Sequence, residues 1–254
     1  PCTTVGRRVT ASESRGGEPP VTPITGLLLV AVLLGAVILA AGVAVGVAIG
    51  LLGRVGIATD GPLGLALVSV AQFTGFGVVA WGFLQIGTVR HALHRLRPSR
   101  ADLRWIVIGM TVLLGFFGVA NWLLGVLSVD SAESVLATQG AQQPVYYLYL
   151  IPVTILLVGP IEEVVFRGIV QGLLRESFGT TPAVVVASVI FAGVHVGAYS
   201  GGGLGATLVF IAGLGAVLGI IYERSRSVVA VAVIHGLFNA LQFAGLYLTT
   251  TGII

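Results

Sequence analysis

The chain has 254 residues, of which 56% are hydrophobic and 9% are charged, and its formal net charge is +3. A soluble domain carries about 25% charged residues, so the composition excludes one and predicts an integral membrane protein. All 13 basic residues are arginine, and Cys2 is the single cysteine. Lysine Schiff-base chemistry, a Ser-Lys dyad, an intrachain disulfide and a cysteine-based metal cluster are therefore excluded.

The polar N-terminal segment, residues 1–22, is rich in Gly, Pro and Ser, and we expect it to be a disordered tail. The first apolar run, 24–52, is too long for the hydrophobic region of a signal peptide and lacks a clear small-residue cleavage site, so a signal peptide is not expected. We expect residues 23–254 to form a single transmembrane domain.

Seven apolar stretches follow one another along the chain. A helix needs about 20 apolar residues to cross a bilayer, and each stretch approaches or exceeds that length. The first and the fourth are long enough to tilt or to break internally. The predicted fold is an all-α, polytopic membrane helical bundle of about seven transmembrane helices. The stretches are 24–52, 63–88, 105–129, 146–174, 182–199, 203–222 and 227–250.

The arginines predict the orientation of the bundle, because cytoplasmic loops carry an excess of basic residues. With seven spans, nearly every arginine outside the spans falls on one side, which predicts a multi-pass cell-membrane protein with a cytoplasmic N-terminus and an extracytoplasmic C-terminus. The loop 90–104 is the most basic; it is a topology determinant, with anionic lipid binding as an alternative. His91 and His94 in this loop are expected to be solvated. The arginines on that side are Arg7, Arg8, Arg15, Arg90, Arg95, Arg97, Arg100, Arg104, Arg175, Arg224 and Arg226.

Polar side chains inside three of the last four spans are the strongest functional signal, since charge within a bilayer is costly. Counted from the cytoplasmic ends of their spans, Glu162, His195 and Asn239 lie 12 or 13 residues deep, roughly 18–20 Å at 1.5 Å per residue. His235 lies one turn nearer the cytoplasm, and Phe191 lies one turn before His195, where it can wall the same pocket. The spacing therefore predicts a shared polar layer.

Helical spacing also separates the two adjacent glutamates. Glu163 and Arg167 are i,i+4 and can form an ion pair on one face, so a supporting or structural role is predicted for both. Glu162 lies about 100° around the helix and is left to face a cavity shared with the histidines. His235 and Asn239 are also i,i+4, and both are predicted to point the same way.

Three motifs carry a family resemblance: E-E-V-V-F-R at 162–167, F-A-G-V-H at 191–195 and H-G-L-F-N at 235–239. In this order, on successive membrane helices, they resemble the CAAX-protease and bacteriocin-processing family of intramembrane endopeptidases. The resemblance covers residues 146–250 and implies that the last four spans form the catalytic core.

The resemblance implies a role for each polar residue. Glu162 would be the general base on the attacking water, and His195 would position that water. His235 and Asn239 would stabilise the oxyanion of the tetrahedral intermediate. Amide hydrolysis requires these functions: a nucleophile, a proton acceptor and stabilisation of developing charge. The implied partners are membrane lipid and a membrane-associated protein or peptide, with prenylated C-a-a-X proteins as substrates of the best-known relatives; no nucleic acid is expected.

Several alternatives stand beside this hypothesis. Glu162, His195 and His235 are an acceptable zinc set, so a zinc enzyme and a metal-free one are equally open. The absence of H-E-x-x-H excludes the zincin arrangement. A proton-coupled transporter using the same residues as a relay, or a non-catalytic membrane scaffold, would need the same polar cluster. For a protease, we expect the pocket to open to the cytoplasm or the inner leaflet.

Overall fold

The computed structural model describes residues 21–254, and the predicted disordered tail lies outside this range except for Val21 and Thr22. Thr22 caps the first helix. The described residues form the predicted all-α bundle. Their helices are α1 (Pro23–Arg54), α2 (Pro62–Phe83), α3 (Gly87–Ala92), α4 (Arg100–Val126), α5 (Val135–Gln142), α6 (Val145–Val153), α7 (Gly159–Glu163), α8 (Gly172–Phe178), α9 (Thr180–Val194), α10 (Leu204–Ser225) and α11 (Val228–Thr250).

Seven helical segments within residues 21–254 are long and apolar enough to cross a membrane, as predicted. The second is shorter than the predicted 63–88, because α2 ends at Phe83 and a turn leads into α3. The third begins at Arg100, five residues earlier than predicted, because the Asp102 carboxylate accepts a hydrogen bond from the Ser99 backbone N–H at 2.7 Å and caps α4.

The fourth span, Val145–Phe178, is the segment that carries the two glutamates, and it is not a regular helix. Two π-helical segments, Thr154–Val158 and Val164–Gln171, separate α6, α7 and α8. Pro160 is the second residue of the short α7 and has no N–H to donate to the preceding turn. The span, predicted to tilt or to break, stays helical throughout and instead changes its winding in the two π-helical segments, and π-helical turns of this kind are frequent at functional sites.

Two glycines set the distance between the fourth span and α11. A Cβ built on Gly159 would lie 2.8 Å from the carbonyl oxygen of Ala232 and from the backbone nitrogen of Gly236. A Cβ on Gly236 would lie 3.0 Å from Cα of Ile155. Small residues allow helix backbones in membranes to approach closely. The contact places His235, next to Gly236, beside the glutamates of α7.

The two ends of the bundle differ in charge. At one end, called here the basic end, the α3–α4 loop contacts the α10–α11 turn: the Arg95 N–H donates to the Arg226 carbonyl at 3.2 Å, and the Val228 N–H donates to the Arg95 carbonyl at 3.0 Å. At the other, called the arginine-poor end, strand β1 (Glu133–Ser134) pairs antiparallel with β2 (Tyr199–Ser200). The structure thus groups the loops as a seven-span topology requires.

A buried polar cluster at the basic end corrects the expectation that His94 is solvated. Only 9% of its side chain is exposed. Its Nε2 lies 2.8 Å from Nη1 of Arg175 and 3.2 Å from Oε2 of Glu223. Arg175 also donates to Glu223 at 3.2 Å, and Gln171 Nε2 donates to Oε1 of Glu223 at 2.8 Å. The helix ends fold over the loop and remove His94 from water, which hydropathy alone does not reveal.

Candidate active site

The candidate site lies where α7, the C-terminal end of α9 and the first half of α11 meet. Glu162 and Glu163 end α7, His195 caps the end of α9, and His235 lies on α11. Glu162, Glu163 and His235 are buried, and His195 is half-buried. The predicted polar residues of three separate spans therefore reach one region of the bundle.

Glu163 is held by two cationic or hydrogen-donating neighbours. The predicted i,i+4 ion pair is present, with Arg167 Nε 3.2 Å from Oε2, and both side chains are fully buried. The other oxygen, Oε1, lies 2.8 Å from Nδ1 of His235. Because a carboxylate can only accept, Nδ1 of His235 carries the proton, and its Nε2 is the nitrogen presented to the site.

Glu162 differs from Glu163 because it has no close partner. Its Oε2 lies 3.7 Å from Nε2 of His235, which is beyond direct hydrogen bonding. No donor of the described residues lies within hydrogen-bond distance of its carboxylate. The side chain is nonetheless buried, with 6% of the residue exposed. A buried carboxylate without a partner is costly, so Glu162 is suited to bind a water.

His195 is fixed by its own helix. Its Nδ1 lies 2.7 Å from the carbonyl oxygen of Phe191, which can only accept, so Nδ1 is the donor. In the neutral ring Nε2 is then an acceptor, and none of residues 21–254 forms a hydrogen bond with it. His195 therefore offers a lone pair to a water or a substrate, in a tautomer that the α9 backbone selects.

Phe191 is the apolar centre of the cluster, as its predicted place on the pocket wall implied. Its ring centroid lies 4.6 Å from that of His195 and 6.0 Å from that of His235. The guanidinium carbon of Arg167 lies 4.9 Å from the same centroid, within the range of a cation–π contact. One aromatic ring thus lies beside both histidines and the buried cation.

Arg167 and Asn239 retain hydrogen-bonding capacity. Both terminal nitrogens of Arg167 are buried without a partner among the described residues, a pattern that ordered water commonly satisfies. Asn239 is half-buried, and its Oδ1 accepts from Gln242 Nε2 at 3.5 Å. Its amide nitrogen makes no hydrogen bond within residues 21–254, so it can donate elsewhere.

Tyr199, on strand β2, is a member of the site that the sequence motifs did not indicate. It is half-buried four residues after His195. Burial and the negative charge of Glu162 raise the pKa of the Tyr199 phenol, so the side chain lies within electrostatic range of that carboxylate. The only sequence signal was proximity to His195, since the pairing of β2 with β1 that positions Tyr199 is a tertiary contact.

The zinc alternative, with Glu162, His195 and His235 as ligands, stays a prediction. Among residues 21–254, no group of three or more His, Cys, Asp or Glu side chains is placed to hold a metal ion. No step through a metal is derived from this geometry.

Comparison with known proteins agrees with the motifs. Residues 144–241 match the family model described as type II CAAX prenyl endopeptidase Rce1-like. The matched region begins just before α6 and ends within α11, so it contains all the residues of the cluster. No curated protein gives a significant match to the chain, and no solved structure does either.

Proposed function

Since this chain carries, over residues 144–241, a domain of the Rce1-like type II CAAX prenyl endopeptidase family, we propose that it is an intramembrane endopeptidase in which Glu162 activates water. The family supports a CAAX protease-type hydrolase in a multi-pass membrane protein. The proposal adds the mechanism, the roles of the residues and the class of substrate.

One observation carries the proposal: of two adjacent buried carboxylates, only Glu163 is hydrogen-bonded by other residues of the protein. Glu163 is bound by Arg167 and by Nδ1 of His235, whereas Glu162 lies 3.7 Å from Nε2 of the same imidazole with no closer partner. A fully paired carboxylate can orient another residue but is a poor proton acceptor. An unpaired carboxylate in a low-dielectric site is suited to general-base catalysis.

The proposed reaction proceeds through a tetrahedral intermediate. A water held between Glu162 and Nε2 of His195 loses a proton to Glu162 as its oxygen attacks the scissile carbonyl carbon. Glu162 then returns that proton to the amide nitrogen as the carbon–nitrogen bond breaks, which releases a carboxyl product and an amine. In this step His235 carries a second proton on Nε2, and this nitrogen and the amide of Asn239 donate to the oxyanion. Glu163 holds the His235 ring in place.

The surface beside α7 supports a substrate that lies in the membrane. A shallow, open apolar groove with a volume of about 300 Å³ lies between α2 and the fourth span, and it reaches Ile161, the residue before Glu162. A groove with such walls suits an apolar side chain or a hydrocarbon chain of a membrane-associated substrate, for which the family name suggests a prenylated C-a-a-X peptide. The lining residues are Thr74, Gly77, Val78, Trp81, Leu157 and Ile161.

The direct test is a cleavage assay with purified full-length protein on matched peptides with and without a prenyl group. We expect hydrolysis that persists with a metal chelator and disappears in Glu162→Gln. Prenylation of the peptide should lower KM, because the apolar groove binds the prenyl chain. Cleavage abolished by chelator and restored by zinc would contradict the metal-free mechanism. Cleavage unchanged in Glu162→Gln would contradict the assignment of the base.

The proton-relay and scaffold alternatives make different predictions. A relay would give proton flux in liposomes that Glu162→Gln abolishes, with no peptide cleaved. A scaffold would retain partner binding in Glu162→Ala and His195→Ala. The unpaired Glu162 suits a relay as well as a base, but neither alternative accounts for the match of residues 144–241 to an endopeptidase family.

A further inference from the structure

Exposed arginines at the basic end form a surface that the proposed reaction does not use. We propose that this surface, called here the arginine corner, binds the phosphate headgroup of an anionic phospholipid whose acyl chains lie along α4. This binding does not depend on the proposed peptidase activity. The arginine corner consists of Arg97 in the α3–α4 loop, Arg100 and Arg104 in the first turns of α4, and Arg224 and Arg226 at the end of α10.

The side chains of the arginine corner are all exposed, and none of them has a carboxylate partner within the described part of the chain. The carboxylates of the basic end are used elsewhere. Asp102 pairs with Arg95 at 2.6 Å, and Arg175 pairs with Glu223 at 3.2 Å and with Glu176 at 3.5 Å. Five cations without a counter-charge repel one another, so the surface is complementary to a ligand that carries negative charge.

Backbone contacts bring these arginines together from two distant parts of the chain. The Arg95 N–H donates to the Arg226 carbonyl, and the Val228 N–H donates to the Arg95 carbonyl. The Arg95 guanidinium also donates to the carboxylate of Asp102, which accepts from the Ser99 N–H and is only 3% exposed. The α3–α4 loop, the start of α4 and the α10–α11 turn therefore meet at one corner of the bundle.

The arginine corner continues directly into an apolar surface on α4. One side of this helix packs inward, where Ile106 contacts the core formed with α10 and α11. On the outward side, Leu103 is 68% exposed and Val107 is 59% exposed. Helical spacing places Arg100 and Arg104 on the same outward side, i,i+4 to each other. Charge followed by exposed apolar surface along a membrane span is the order in which a phospholipid presents its phosphate and its acyl chains.

Two features favour a lipid over a soluble anion. The guanidinium carbon of Arg104 lies 5.6 Å from the ring centroid of Trp105, and tryptophan is enriched at the level of the lipid headgroups. Arginine clusters next to a span attract anionic headgroups, and guanidinium groups bind phosphate oxygens through paired hydrogen bonds. An acidic polypeptide or a free phosphate would satisfy the charges but would leave the apolar side of α4 unused.

Thermal unfolding of the full-length protein in a non-ionic detergent tests the surface. Phosphatidylglycerol should raise the unfolding midpoint by about 5–10 °C at a concentration about 100 times its dissociation constant, because it joins α4 to the end of α10. Phosphatidylcholine with the same acyl chains should give no shift. Glycerol phosphate, which lacks acyl chains, should give none either. High salt should weaken the response to phosphatidylglycerol.

Variants of the arginine corner locate the binding. The test variant combines Arg100→Gln, Arg104→Gln, Arg224→Gln and Arg226→Gln. Each arginine near an anionic surface strengthens binding about fivefold, so half of the shift should require about 10²–10³-fold more phosphatidylglycerol. Arg54→Gln, at an exposed position of the arginine-poor end, is the matched control and should respond as wild type does. If the combined variant does not fold, the α4 pair and the α10 pair are changed separately, and each should require about 30-fold more lipid.

Four results would overturn the proposal. Equal stabilisation by phosphatidylcholine would show that charge is not recognised, and equal stabilisation by glycerol phosphate would show that the acyl chains contribute nothing. Stabilisation by polyglutamate and not by phosphatidylglycerol would assign the surface to an acidic polypeptide instead. A response of Arg54→Gln as weak as that of the arginine-corner variants would show that the binding is not located at this corner.

Discussion

Two buried polar clusters in this bundle contain the same residue types, yet they are built differently. In the basic-end cluster, Glu223 accepts hydrogen bonds from Gln171 and Arg175, and Nε2 of His94 lies 3.2 Å from its carboxylate. In the candidate site, no donor among the described residues lies within hydrogen-bond distance of the Glu162 carboxylate, although only 6% of the residue is exposed. The basic-end cluster satisfies the hydrogen bonds of its carboxylate and joins three helices. The candidate site leaves the Glu162 carboxylate without a hydrogen-bond donor among the described residues.

The difference shows that composition alone does not identify a catalytic site within a membrane. Charged residues inside spans are expected to mark function, and Glu223 near the end of α10 would satisfy that rule as well as Glu162 does. What separates them is whether the surrounding structure satisfies the charge. A satisfied group stabilises the fold, whereas an unsatisfied group that persists must be supported by its neighbours and is available for chemistry.

Exchanging one histidine from each cluster for alanine should give opposite results. His195→Ala removes the acceptor beside the proposed water, so we expect kcat to fall by about 10²–10⁴-fold with little change in thermal stability. His94→Ala removes hydrogen bonds to charged groups and should lower stability by about 1.5–3 kcal/mol while kcat changes little. Peptide cleavage measures kcat, and thermal unfolding in detergent measures stability. Equal losses of kcat in the two variants would contradict the difference between the two clusters.

Removing the paired carboxylate of the site should damage the fold. Glu163→Ala leaves Arg167 buried without a counter-charge and frees the His235 ring, so a loss of about 3–5 kcal/mol in stability is expected. The matched control is Glu176→Ala, which removes an ion pair with Arg175. The Glu176 side chain is 47% exposed. That pair should contribute at most about 1 kcal/mol. Similar unfolding midpoints for both variants would contradict the structural role of Glu163.

The close approach of α11 to the fourth span can be tested with one methyl group. Gly236→Ala places a Cβ against the backbone of Ile155 and should cost about 1–3 kcal/mol through overpacking. Because the shift moves His235 away from Glu162, kcat should fall more than stability alone explains. Gly245→Ala lies on the same helix with no atom within 4 Å of the new methyl and should be neutral. An active, stable Gly236→Ala would show that the contact does not position the site.

The smallest expected effect concerns the phenol near Glu162. Tyr199→Phe removes a hydroxyl that can donate to a water or a substrate, so kcat should fall by up to about tenfold. Since the pKa of Tyr199 is raised, its proton is retained to higher pH than in an ordinary tyrosine, so wild type should keep this contribution beyond pH about 10. Tyr149→Phe, at an exposed position on α6, is the control. Identical pH profiles for wild type and Tyr199→Phe would exclude a role.

Much of this architecture could be predicted from the sequence because the signals are local. Hydropathy located seven spans, and i,i+4 spacing identified the Glu163–Arg167 pair. The bond between Glu163 and His235 could not be predicted, because it depends on π-helical turns and on glycine contacts between helices distant in sequence. The positions of His94 and Tyr199 escaped prediction for the same reason: a loop and a two-residue strand acquire their environment only in the folded bundle.

We propose that Glu162 activates water because its carboxylate is unpaired, and not merely because it is buried. The most direct measurement compares turnover of one peptide substrate by Glu162→Gln and Glu223→Gln, two isosteric changes in the two clusters. We expect Glu162→Gln to fold normally and to cleave the peptide about 10³-fold or more slowly. Glu223→Gln should be less stable but should turn over at nearly the wild-type rate. Retained cleavage in Glu162→Gln, or an equal loss of cleavage in both variants, would contradict the assignment of Glu162 as the base.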